Sequence, residues 1–235
     1  MTTTRGRYSS GEQTRIRLVE AAERLFARSG YDGVTLADIR KAAGQHNSSV
    51  VGYYFGTKEG LLEAVFSHRL PALHSQREAL LAEMLRTRET LSVRDLLWVI
   101  IRPLAGTLGR NNHYVAFLDR LSNHDRFAEC FRVTGPTGTE SGRRSDTALR
   151  TLLGPLPDDI AGQRLRLVYS GTVGALARCH RAGESPTTAE LAALVDAWEA
   201  LLLAPVSAET AHARGDVQED FPPDRCGLDT TRFGR

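Results

Sequence analysis

Neutral hydrogen-bonding side chains are concentrated in one short stretch near the N-terminus of this 235-residue sequence. Hydroxyl, amide and phenol groups donate and accept hydrogen bonds, so they suit recognition of a partner better than catalysis. A glycine among them suggests either a close approach or a bend, because it lacks a side chain. The set comprises His46, Asn47, Ser48, Ser49, Gly52 and Tyr53.

Three further polar residues lie at predicted helix starts on either side of that stretch. Thr35 precedes it, and Thr57 and Lys58 follow it. Hydroxyls, an ammonium group and the N–H groups of a helix start are groups that proteins use to hold phosphates. Two simpler interpretations stay open: Thr35 could act as a helix cap alone, and Lys58 could be a solvated side chain.

Apolar spacing and capping residues predict four helices around the polar stretch. Gly30 ends the first helix, since glycine adopts a left-handed cap conformation at low cost. Thr35 and Asp38 form a capping box for the second helix, Thr57 is the N-cap of the fourth, and Pro71 interrupts that helix. The expected ranges are about 12–28, 35–43, 48–55 and 57–70.

Only one face of the third helix has a clear apolar partner. Val51, Tyr54 and Phe55 can close on the first two helices, and the other face then carries small polar groups and Tyr53. A solvated surface helix would usually present Glu, Lys and Arg there. Small polar side chains instead suit entry into a DNA major groove about 12 Å wide. The pattern predicts a helix-turn-helix, although Tyr53 could replace Tyr54 in the core and His46 could be a plain turn residue.

Together these segments resemble the TetR family of bacterial transcriptional repressors. The resemblance covers about residues 12–66, with one residue more between Gly44 and Phe55 than the commonest form of the motif. It implies an all-helical homodimer with an N-terminal three-helix DNA-binding domain and a larger C-terminal domain that binds a small effector and forms the dimer. The matching residues are IRLVEAAERLFARSGYDG (Ile16–Gly33), TLADI (Thr35–Ile39), AAG (Ala42–Gly44) and YYFGTKEGL (Tyr53–Leu61).

The remainder of the sequence also reads as helical, and we expect an all-α protein without strands. Further helices are predicted at about 72–87, 93–109, 113–132, 159–182 and 187–203, with a turn-prone loop at 134–144. Thr187 and Glu190 form another capping box. The predicted divisions are a flexible arm at 1–10, the helix-turn-helix at 11–58, a ligand-binding and dimerisation domain at 59–204, and a disordered tail at 205–235.

The C-terminal region offers candidate residues for an effector pocket and for a dimer interface. The pocket candidates are Trp98, Arg102, Tyr114, Phe117 and Tyr169, although aromatics at helical spacing are more often plain core and Arg102 could be a surface side chain. The interface candidates lie on the last two long helices and could equally form internal core. They are Leu165, Val168, Thr172, Leu176, Leu191, Leu194, Val195 and Trp198.

Composition narrows the remaining possibilities. Residues 1–70 carry ten Lys/Arg and seven Asp/Glu, a mildly basic balance that is compatible with a polyanionic partner. Three scattered cysteines fit a reducing cytoplasm, and no apolar run is long enough to span a bilayer. His113, His124, His180, Cys130 and Cys179 are too widely spaced to predict a metal site, and no cofactor motif is present. The expected partners are a palindromic double-stranded DNA operator, a small-molecule effector and a second copy of the chain. Two alternative functions stay open: a transcriptional activator, and a helical enzyme or ligand carrier that never touches DNA.

Overall fold

The computed structural model of the protein describes residues 4–109, 111–122 and 140–215. Its regular secondary structure is helical, and no strand occurs in these ranges, so the all-α prediction is confirmed for them. Within the same ranges, no helix is both long enough and apolar enough to cross a membrane. Numbered along the chain, the helices are α1 Thr4–Ser29, α2 Leu36–Ala42, α3 Val50–Phe55, α4 Lys58–Thr87, α5 Val93–Ala105, α6 Tyr114–Ser122, α7 Glu140–Leu152, α8 Asp158–Ala182, α9 Thr188–Leu203 and α10 Ala208–Ala213.

Two hydrophobic clusters form the interior of the compact unit that extends to Leu202. The first cluster joins α1, α2, α3 and the first half of α4 to α6 and the end of α8. Its members include Phe26, Ile39, Val51, Phe66, Phe117 and Leu176. The N-terminal helices therefore share one core with α6 and α8, and the expected division near residue 58 stays a prediction.

The second cluster fills the other part of the same unit. It joins the second half of α4 to α5, α7, the first half of α8 and α9. Its members include Leu81, Leu97, Ile100, Leu149, Leu165 and Val195. α4, α5 and α8 contribute to both clusters, so these helices connect the N-terminal helices to the rest of the unit.

The predicted helix caps are confirmed where capping residues were identified. Thr35 and Asp38 form the capping box of α2, and Thr57 accepts a hydrogen bond from the Gly60 N–H at the start of α4. Thr187 and Glu190 make the same reciprocal bonds before α9. Each cap needs only a residue and its neighbour three positions on, which is why the sequence reveals it.

The expected break of α4 at Pro71 is wrong, because the helix continues for 30 residues through that position. Pro71 is exposed, and so is Ser67, whose carbonyl loses its usual N–H partner four residues on. Water can therefore satisfy that carbonyl. Phe66 and Leu73 are buried on either side, and their packing in the core keeps the helix continuous.

Three predicted irregular segments contain more helix than expected. α1 begins at Thr4, so most of the predicted arm at 1–10 is helical, which is explained by the low cost of extending an existing helix. Residues 140–144 of the expected loop belong to α7, and α10 lies within the expected tail. Residues 134–139 and 216–235 lie outside the described residues, as does the expected helix beyond Ser122.

Candidate nucleic-acid interface

The start of α2 is fixed by a complete capping box. The Thr35 hydroxyl donates to Asp38 Oδ2 at 2.6 Å and accepts from the Asp38 N–H at 3.1 Å, while the Thr35 N–H donates to the same carboxylate at 3.0 Å. These hydrogen bonds from Thr35 lower the pKa of Asp38. Both residues are exposed, so the helix start is held in place and open to a partner.

The turn between α2 and α3 is built from backbone contacts made by Arg40 and Asn47. One guanidinium nitrogen of Arg40 donates hydrogen bonds to the backbone carbonyl of Gln45 at 2.9 Å and to that of His46 at 3.0 Å. Asn47 Oδ1 accepts the Ser49 N–H at 3.0 Å, which shapes the entry into α3. Sequence reasoning missed Arg40, although its guanidinium group can reach the carbonyls of residues five and six positions later in the chain.

α3 is shorter than predicted and separates the candidate residues into two groups. The helix begins at Val50, so His46, Asn47, Ser48 and Ser49 lie in the exposed turn before it. The helical face that remains outward consists of Gly52 and Tyr53.

The two faces of α3 differ sharply in exposure. Val50 and Val51 are buried, and Tyr54 and Phe55 pack partly buried against the first cluster. Tyr53 is 82% exposed, and its ring stands edge-on to Tyr54 with centroids 5.0 Å apart. Tyr53 thus projects outward while Tyr54 helps to anchor the helix.

The start of α4 places a cation beside the same surface. Lys58 is partly buried, and its ammonium nitrogen lies 4.2 Å from the centroid of the Tyr31 ring and 6.0 Å from that of Phe26. The Tyr31 hydroxyl in turn donates to Glu59 Oε1 at 2.9 Å. The aromatic ring positions Lys58 near the end of α3, a contact between distant residues that sequence patterns do not reveal.

Comparison with known proteins agrees with this geometry. A family model described as bacterial regulatory proteins, tetR family, matches residues 18–65, which run from within α1 into α4. The N-terminal region matches the TetR family.

Curated relatives resemble this TetR-type region and not the whole chain. The protein named HTH-type transcriptional regulator BetI of Burkholderia cenocepacia (strain HI2424) is 39% identical over 64 residues, which is 27% of this chain and 32% of that protein. A protein of the same name from Burkholderia thailandensis is 39% identical over 59 residues, or 25% of this chain and 30% of its own length. The chain thus spans about a third of the length of the curated relatives it matches.

Outside the TetR-type region, the five predicted pocket residues are divided between the two clusters. Tyr114 and Phe117 are buried in the first cluster, with their ring centroids 6.0 Å apart. Trp98 and Tyr169 pack against the second cluster, and Arg102 is exposed. Burial raises the pKa of Tyr114 and of Tyr169.

A buried arginine that sequence reasoning missed lies near two of those residues. Arg77 of α4 is only 1% exposed, and burial lowers its pKa while Tyr114 and Tyr169 raise it. Tyr169 donates its hydroxyl to Asp146 Oδ1 at 3.2 Å. The sequence gives no signal for this burial, because Arg77 is one of several basic residues in α4 and such residues are common on helix surfaces.

The predicted dimer residues mostly face the interior of the single chain. Leu165, Val168, Thr172, Leu176 and Val195 are each no more than 1% exposed. The partly buried candidates, Leu191, Leu194 and Trp198, pack against the second cluster. The outward faces of α8 and α9 carry other residues, because both helices already bury one face within the unit.

Proposed function

We propose that the protein is a sequence-specific DNA-binding transcriptional regulator that acts as a homodimer and releases its operator when a small molecule binds. The observation that carries this proposal is the outward surface formed by the turn at residues 46–49 and by Gly52 and Tyr53 of α3. It is polar and uncharged around one protruding aromatic ring, on a helix whose other face is anchored in the core. Such a surface suits direct contact with base edges.

Groups that could hold the DNA backbone flank this surface. Thr35 and Thr57 begin two helices, whose first N–H groups can donate to phosphate oxygens. Lys58 follows Thr57, and its position over Tyr31 keeps the ammonium near the end of α3. We assign these three residues to phosphate contacts and residues 46–49, 52 and 53 to contacts with bases.

A second copy is proposed from the outward faces of the last two long helices. α9 exposes Ala193, Ala197 and Ala200, and Leu167 of α8 is 50% exposed. Small side chains allow helices from two copies to approach closely, and a two-fold interface would give two reading helices and a palindromic operator. The two helices would then need to match successive major grooves, about 34–36 Å apart.

The effector is proposed to bind among the C-terminal helices near Arg77, Tyr114 and Tyr169. These residues combine a guanidinium with two phenols inside a largely apolar interior. A few polar groups in apolar surroundings are typical of small-molecule sites. Binding would favour an arrangement in which the two reading helices no longer match the operator, and coupling of about 1–3 kcal/mol would be sufficient.

Selection of bound duplexes from a random DNA pool tests this function most directly. We expect a palindromic sequence whose half-sites are separated by about one helical turn. Binding should weaken steeply as salt is added, because phosphate contacts release counterions. A chain that shows no salt-dependent binding to any duplex would contradict the proposal. A reporter gene under the selected operator then distinguishes repression from activation.

Two surface variants extend that selection, one as the test and one as the matched control. Tyr53→Ala is the test: it removes the exposed ring and should alter or abolish the selected sequence. Leu85→Ala removes a side chain that is 52% exposed on α4, outside the proposed interface, and should select the same operator. Identical selections from all three proteins would remove α3 from the reading surface.

A further inference from the structure

A buried carboxylate connects α1 to two other parts of the fold. Glu23 is 1% exposed, and its two oxygens accept hydrogen bonds from Arg69 of α4, at 2.7 Å from Nε and 3.0 Å from a terminal nitrogen. The same Glu23 carboxylate accepts the backbone N–H of His113, immediately before α6, at 2.8 Å. The position of α1 is therefore tied to the start of α6.

The His113 ring continues this connection to α8. Its Nδ1 lies 3.1 Å from Nε2 of His180, in the last turn of α8, and the two rings are nearly perpendicular. The two histidines are 67 residues apart in the sequence. We call Glu23, Arg69, His113 and His180 the Glu23 cluster; it joins four helices through hydrogen bonds.

The contact between the two rings limits how many protons the pair can hold. Two imidazole nitrogens at hydrogen-bonding distance need one N–H donor and one lone pair. A pair with one or no positive charge satisfies this requirement. When both rings are protonated, both facing nitrogens carry a hydrogen, so neither can accept a hydrogen bond. The two positive charges also repel each other.

The surroundings of His113 oppose its positive charge. Burial is the largest cause that lowers the pKa of His113, and the positive charges of His180, Arg24 and Arg69 lower it further. The Glu23 carboxylate acts in the opposite direction and raises it. His68, next to Arg69 on α4, also has a lowered pKa, chiefly through burial. On the α6 and α8 side, Arg181 is paired with Asp119 at 2.9 Å.

The lowered pKa values of His113 and His68 make the stability of the fold depend on pH. A histidine whose pKa is depressed in the folded state stabilises the fold above its unfolded pKa, about 6.5. That stabilisation is lost as the pH falls from about 6.5 towards the folded-state pKa, because the unfolded chain binds the proton more readily. His113 and His68 both contribute in this direction.

We propose that the Glu23 cluster is an acid-sensitive joint, in which a second proton on the His113–His180 pair breaks the contact between the end of α8 and the start of α6 and thereby weakens operator binding. This inference rests on the proposed function, since it concerns how the DNA-binding surface is positioned. α1 is the helix on which α2 and α3 pack through the first cluster, and Arg24 of α1 also donates to the Ala42 carbonyl at 3.4 Å. A shift of α1 would consequently move the reading surface.

The test compares the wild-type protein with His180→Gln. The glutamine amide reaches the position of Nε2 and can still bond to His113, but it takes up no proton near neutral pH. Between about pH 8 and about pH 5.5, we expect the wild-type affinity for its selected operator to fall by up to about tenfold per pH unit for each linked proton. The melting temperature should fall over the same range, and both changes should be smaller in the variant.

His212→Gln is the matched control, because His212 is an exposed histidine of α10 outside the Glu23 cluster. It should retain the wild-type pH profiles. Titration of the His113 ring signals by NMR, in the wild-type protein and in His180→Gln, adds a direct measurement. The wild-type His113 ring should titrate below the ordinary histidine pKa of about 6.5 and should shift in the variant, whereas the same His113 titration in both proteins would overturn the joint.

The outcomes separate this inference from the proposed function. If duplex DNA is not bound at any pH, the proposed function fails, while the melting profiles and ring titrations still decide whether the joint exists. If DNA is bound but His180→Gln shows the wild-type pH dependence of affinity, the joint does not act on operator binding and the inference is wrong.

Discussion

The N-terminal helices and the C-terminal helices are held in place by contacts of different range. The caps and the turn around α2 and α3 are fixed by hydrogen bonds between residues no more than six positions apart, as in Thr35 with Asp38 or Arg40 with His46. In the C-terminal helices, Arg94 pairs with Glu199, 105 residues away. His74 similarly contacts Ser141 across 67 residues.

This difference explains what each region can do. Short-range hydrogen bonds fix the local geometry of the caps and the turn, which suits a surface that must match DNA. Long-range contacts instead make the C-terminal helices depend on one another, which suits a region that would respond to a ligand. In the Glu23 cluster, long-range hydrogen bonds link α1 to α4 and to the start of α6.

Breaking the hydrogen bonds of the Glu23 carboxylate should have the largest effect on stability. Glu23→Ala removes the acceptor of Arg69 and of the His113 N–H, leaving a partly buried guanidinium without its carboxylate. We expect a loss of about 3 kcal/mol in the free energy of unfolding, measured by urea denaturation. Glu12→Ala, which breaks only the exposed pair with Arg15 on the same helix, should cost less than about 0.5 kcal/mol. Equal losses in the two variants would mean that the buried network adds nothing.

Two glycines in the TetR-type region should respond oppositely to alanine. A Cβ at Gly60 would lie 2.2 Å from the Phe55 carbonyl oxygen, so Gly60→Ala should destabilise the fold by about 2 kcal/mol. At Gly52 a Cβ has open space, and Gly52→Ala should stabilise α3 by up to about 1 kcal/mol. If bases approach Gly52, the same variant should bind operator more weakly. Thermal unfolding and DNA binding measured together would reveal this split, and a parallel change in both would argue against close approach.

Tyr53→Ala should separate function from stability at the most exposed residue of α3. The ring is 82% exposed, so the free energy of unfolding should change by less than about 1 kcal/mol. Operator affinity should fall at least about tenfold in fluorescence anisotropy, since the ring lies at the centre of the proposed contact surface. An affinity unchanged by this substitution would place the reading surface elsewhere.

The smallest effect is expected from Lys58→Ala. Loss of one phosphate contact should weaken binding similarly for all sequences and reduce the slope of log affinity against log salt by about one. Arg178→Ala, an exposed change on α8, provides the control and should leave the slope unaltered. A slope that Lys58→Ala does not change would assign Lys58 to its contact with Tyr31 alone.

The sequence was informative wherever the cause of structure is local. Thr35, Thr57 and Thr187 reveal three helix starts, because a capping side chain bonds to a backbone group only three residues away. The outward position of Tyr53 also has a local cause, since Val51, Tyr54 and Phe55 fill the inner face of one short helix.

Longer-range outcomes were decided only in the folded chain. Packing on both sides of Pro71 keeps α4 continuous, although local preference alone would end the helix there. Burial within the single chain likewise accounts for Leu165 and Val195, which periodicity fits equally well to a partner surface.

The amino-acid sequence by itself determined the helical pattern, the caps and the small polar surface of the TetR-type region. Only the tertiary structure brought Glu23, Arg69, His113 and His180 together and buried Arg77 beside Tyr114 and Tyr169. The physical reason is distance along the chain. A pattern of neighbouring residues records local backbone preferences, whereas contacts between remote side chains depend on how whole helices pack.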